Sequence, residues 1–67
     1  MSKQDDARRI AAGLTYNVTT SRGKVVAEVT APSAADAKRV LAAFGSEGWK
    51  TSFMGRNGTT IRAEIKP

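Results

Sequence analysis

The sequence predicts an α+β domain, a β-β-α-β-β chain in which one helix crosses one face of a four-stranded, mostly antiparallel sheet. Three observations predict it: a capped amphipathic segment in mid-chain, a pair of alternating segments before it, and another pair after it. The helix lies within Pro32 to Gly48. Ser33 is placed to accept a hydrogen bond from an early helical N–H, Asp36 answers it three residues on, and Pro32 holds the preceding chain extended. Ala37, Val40, Leu41 and Phe44 then recur at the i, i+3, i+4, i+7 spacing of one apolar stripe. Gly45 and Gly48 are the expected stop, because glycine enters the left-handed region without a Cβ clash.

Ahead of the helix, Leu14 to Thr20 alternates, with Leu14, Tyr16 and Val18 on the expected helix side of the sheet. Lys24 to Ala31 does the same with Val25, Ala27 and Val29, and Ser21-Arg22-Gly23 between them is turn chemistry. Keeping the two apolar sets on one face demands a loop of two or four residues. After the helix, Trp49 to Met54 and Thr59 to Lys66 form a second hairpin, with Trp49, Thr51 and Phe53 sharing a face with Ile61, Ala63 and Ile65. A two-residue turn at Asn57-Gly58 would set Phe53 opposite Arg62 and mix the faces. A three-residue loop, Arg56-Asn57-Gly58, with Gly58 left-handed, pairs Phe53 with Ile61 and Thr51 with Ala63, and is preferred. A crossover from the second strand to the third makes those two parallel in an otherwise antiparallel sheet. Residues 1–12 carry Ala7, Ile10 and Ala11 at helical spacing, with acids before arginines and Gly13 as a stop. They are expected as a short helix or a basic arm of a single domain spanning 1–67.

Composition narrows the chemistry. Cysteine and histidine are both absent, which removes thiolate and imidazole metal sites and the common nucleophile and base pairs. No carboxylate pair has spacing that implies acid and base work, so no catalytic residue, cofactor or metal is expected and the chain is not read as an enzyme. The charged start and the lack of a long apolar run predict a cytoplasmic location without membrane contact. Eleven Lys and Arg against six Asp and Glu give +5, which favours an anionic partner, either nucleic acid or an acidic host protein surface.

Alternation assigns the candidate contacts. Threonines, Asn17, Lys24, Lys50, Arg62 and Lys66 fall on the face away from the helix, while all four aromatic residues point to the helix side. Base stacking is therefore not expected, and phosphate contact through Arg22, Lys24, Lys50, Arg56, Arg62 and Lys66 is. Arg22, Lys24 and Lys50 are expected at one end of the sheet and Arg56 at the other. Val26 and Met54 are apolar residues expected outward, either under the N-terminal helix or at the centre of a homodimer or partner interface. The unpaired edges of so small a sheet offer the same opportunity.

The run V-T-A-P-S-A-A-D-A-K-R-V-L-A-A-F followed by G-W-K-T resembles the strand, helix, Gly-aromatic strand progression of small phage-encoded inhibitors, among them some anti-CRISPR proteins and a phage inhibitor of bacterial RNA polymerase. It covers about half the chain and carries no functional residue over by motif. The resemblance implies a second class of function: a compact protein that blocks a host nucleoprotein machine through protein contacts.

Overall fold

In the computed structural model, which describes residues 2–67, two helices pack on one face of a four-stranded sheet. The elements in order are α1 (Lys3–Ile10), β1 (Thr15–Ser21), β2 (Lys24–Thr30), α2 (Ala34–Ser46), β3 (Lys50–Met54) and β4 (Thr60–Ile65). The α+β class and both hairpins follow the sequence reading. So does the register of the second hairpin, in which Phe53 faces Ile61 and Thr51 faces Ala63.

Strand order departs from it. The sheet runs β1-β2-β4-β3, so β4 lies between the two strands expected to be parallel neighbours, and every adjacent pair is antiparallel. The reason is burial. Val25, Ala27 and Val29 of β2 and Ile61 and Ala63 of β4 are at most 1% exposed, and strands this apolar belong in the middle of the sheet. β3, with Lys50, Thr51 and Ser52, tolerates the edge.

Both helices start as their sequences dictate. The Asp36 N–H donates to Ser33 Oγ at 3.2 Å, and the Ser33 hydroxyl donates to the Asp36 carboxylate at 3.1 Å. At α1 the Asp5 N–H donates to Ser2 Oγ at 3.1 Å. Of the two glycines expected to stop α2, Gly48, at φ +89°, makes the reversal, whereas the helix continues through Gly45 to Ser46. The N-terminal segment is a docked helix. Ala7 and Ala11 are buried in the core, and Arg9 holds both carboxylate oxygens of Glu47 at 2.8 and 3.0 Å, tying α1 to the end of α2. The Glu47 hydrogen bond, and then its charge, raise the Arg9 pKa above its ordinary value.

The core centres on Phe44, fully buried on α2, and Trp49, 4% exposed just before β3. Their rings meet edge to face at 4.9 Å, and the Trp49 N–H donates to the Phe44 carbonyl at 3.1 Å. The indole Nε1 is buried with no hydrogen-bond partner among the described residues. Two other aromatic residues lie on the helix side without being covered: Tyr16 is 41% exposed and Phe53 47%. Both stand on edge strands, where each residue has a neighbouring strand on one side only.

Phe44→Ala should cost about 3–5 kcal/mol, comparable with the whole stability of a domain this size. Phe53→Ala should cost less than about 1 kcal/mol, since half the ring already meets water. Urea unfolding followed by circular dichroism measures both, and equal losses would contradict this division between core and edge.

Candidate nucleic-acid interface

The face opposite the helices is graded along the strands. Threonines occupy one end, where Thr30 Oγ1 and Thr60 Oγ1 lie 3.2 Å apart beside Met54, the cross-strand partner of Thr60. The middle holds Glu28 opposite Arg62, with Ser52 on the far side of Arg62. At the other end, Lys24, Lys50 and Lys66 line a cleft of about 330 Å³ together with Gly48, Glu64 and Ile65. A second cleft, of about 430 Å³, adjoins it through Lys24 and is lined by Ser21, Arg22, Val26, Arg62 and Glu64.

Three local features bring these cations together. The first hairpin closes on the pair Ser21↔Lys24, leaving Arg22-Gly23 as a two-residue turn. Both turn residues are left-handed, at φ +53° and +74°, as a type I′ turn requires. The Phe44–Trp49 contact starts β3 so that Lys50 lands opposite Glu64. β4 ends at Ile65, so Lys66 follows directly beside the start of β2.

Ion pairing engages four of the arginines, while Lys3, Lys38 and Arg56, which lie away from the clefts, have no ion-pair partner among the described residues. Arg8 pairs with Asp5 at 3.1 Å, Arg9 with Glu47 at 2.8 Å, Arg39 with Asp36, and Arg62 with Glu64 at 3.6 Å. Four of the six carboxylates thus serve helix arginines, and the remaining two flank Arg62. Arg22, Lys24, Lys50 and Lys66 make no ion pair among the described residues. Of the cations named from sequence, these four are brought together. Arg62 borders the cluster with its charge offset, and Arg56 lies in the β3–β4 loop at the opposite end.

The apolar pair is divided as well. Val26 points to the open face yet is only 6% exposed, under the long side chains that line its cleft, while α1 sits on the other face. It therefore has little surface to offer a partner. Met54 is 36% exposed.

The neutralisation of Arg62 was missing from the sequence reading because it depends on strand order. Had the alternating Ile61-Ala63-Ile65 been read as an inner strand beside β2, Glu28 opposite Arg62 would have followed. Among the described residues no group of three acidic, His or Cys side chains is placed to hold a metal ion, and no helix is long and apolar enough to cross a membrane. Comparison with known protein families, with curated proteins and with solved structures finds no match to this chain.

Arg22 is the one non-glycine residue with positive φ among the described residues. A side chain with a Cβ pays for that conformation, whereas asparagine adopts it readily and suits a type I′ turn. Arg22→Asn should therefore raise stability by about 1 kcal/mol, read from the urea midpoint at unchanged slope. A loss of stability would show that the arginine side chain holds the fold together.

Proposed function

We propose that this chain is a non-catalytic nucleic-acid-binding module that grips phosphates with Arg22, Lys24, Lys50 and Lys66. The observation that carries the reading is the gathering of these four cations around two adjoining clefts at one end of the sheet, where Glu64, 3.6 Å from Arg62, is the one carboxylate in the lining. Four like charges gathered around a single carboxylate repel one another, and a polyanion relieves that repulsion. Arg22 adds a second cost at the same place, because its cation is displayed on a turn that asparagine or glycine would close with less strain.

The class of contact follows from what the open face presents. Its side chains are hydroxyls, amides and charges with a single exposed apolar residue, Met54, and every aromatic ring is on the helix side or in the core. Bases have no ring to stack on, so recognition rests on phosphate charge and is weakly dependent on sequence. Arg62, offset by Glu28 and Glu64, contributes less than the four, and Arg56 stands outside the footprint.

Fluorescence anisotropy against a labelled DNA duplex across a salt series tests this. The logarithm of the affinity should fall with the logarithm of salt at a slope of about −3 to −4, near −0.9 for each phosphate engaged. Lys24→Gln with Lys50→Gln should weaken binding at low salt and flatten the slope by about 2, while Arg56→Gln leaves it unchanged. Absence of binding at low salt would overturn the proposal and make the cluster the complement of an acidic protein surface.

A further inference from the structure

The β1 edge is built differently from the rest of this basic surface. Its seven residues, Thr15–Ser21, contain no charge, proline, glycine or bulge, and all but Val18 are exposed. β1 pairs only with β2, so its outer row of N–H and C=O groups is free. Sheet edges that must stay unpaired normally carry a lysine, a proline or a bulge. None is present here, in a chain of net charge +5 that places cations almost everywhere else. The other edge, β3, is five residues long and begins with Lys50.

We infer that the β1 edge is a pairing surface for a second copy of this chain, the two β1 strands running antiparallel about a two-fold axis at Val18. This inference is independent of nucleic-acid binding. In that register Asn17 faces Thr19 of the other copy, Tyr16 faces Thr20, and Thr15 faces Ser21, so every position keeps its face and no like charges meet. Tyr16, whose ring α1 leaves 41% exposed, comes to lie against Thr20 and against Gln4, which reaches Thr20 Oγ1 at 3.4 Å within its own chain. The uncharged strand also selects the partner. An acidic protein would be met by cations on this edge, whereas a second +5 chain is approached at least cost where there are none. Strand pairing of this length buries little beside the roughly 1,200 Å² of a stable interface, so the dimer is weak and concentration-dependent.

Sedimentation equilibrium of the whole chain over a wide concentration range should show a reversible monomer–dimer equilibrium. Asn17→Lys with Thr19→Lys places lysines opposite each other twice across the axis and should weaken the dimer about tenfold or more. Asn17→Glu with Thr19→Lys places opposite charges at the same two contacts and should restore it or strengthen it. Both pairs change exposed residues on the open face, and circular dichroism checks that the fold survives. A monomer at every concentration overturns the inference. So does a dimer indifferent to both double variants, above all one that Phe53→Ser on the β3 edge abolishes.

Discussion

The contact between Phe44 and Trp49 sets where the rest of this molecule goes. It is made twice, once ring to ring at 4.9 Å and once when the Trp49 N–H reaches the Phe44 carbonyl, so the last turn of α2 and the start of β3 move as one unit. Gly48 reverses the chain between them in a conformation other residues resist. With β3 started at Lys50, the β3–β4 register puts Phe53 over Ile61 and carries β4 back along β2. Moving that start by one residue would turn Lys50 into the core and Thr51 outward. The packing of two buried rings therefore decides which face of the sheet is basic.

Charge is partitioned as deliberately as apolar surface. The helices carry their own compensation, with Asp5, Asp6 and Asp36 set three residues ahead of Arg8, Arg9 and Arg39, and Glu47 meeting Arg9 across the helix pair. Such exposed pairs contribute little to stability. Their larger effect is on the field, because they offset all but about one of the helical positive charges and leave most of the net charge to the sheet. There the rules of a quiet surface are broken together: like charges are gathered and a left-handed turn residue keeps a Cβ. Departures of this kind concentrated in one place mark a site maintained at the expense of stability.

Much of this is legible in the sequence alone. Capping chemistry at Ser33 and Asp36, the stripe through Phe44, period-two alternation and the face argument for the second hairpin are local signals, and the structure follows them. The misses are non-local. Strand order turns on which of two alternating strands is more apolar relative to the other, a comparison that no single window makes. Reading β2 and β3 as neighbours hid the pairing of Glu28 with Arg62. Tyr16 and Phe53 were placed on the correct face, but how far each is covered depends on its strand lying at the edge of the sheet, which is a matter of strand order. In the β3–β4 connection the register was right while the loop was longer than expected: pairing stops at Met54↔Thr60, and Gly55 and Gly58 both take positive φ. Val26 points as its parity requires and is nonetheless buried, on a central strand between Thr19 and Glu64 in a cleft whose lining includes the long side chains of Arg22, Lys24 and Arg62.

The placement of charge and the bare β1 edge bear on each other. Antiparallel pairing about Val18 sends the two hairpin tips to opposite ends of an eight-stranded sheet while keeping both open faces on the same side. From strand spacing and rise, the centres of the two basic clusters then lie about 30 Å apart, close to the roughly 34 Å of one duplex turn. A single cluster of four cations gives modest, salt-sensitive affinity. On the proposed reading, two of them at that separation would engage one duplex on the same side, and the second contact would form at the high effective concentration set by the first. An edge left free of lysine, in a chain this rich in it, would thus allow the proposed pairing without bringing the cationic ends together, and that pairing would in turn give those ends a spacing that a lone domain lacks.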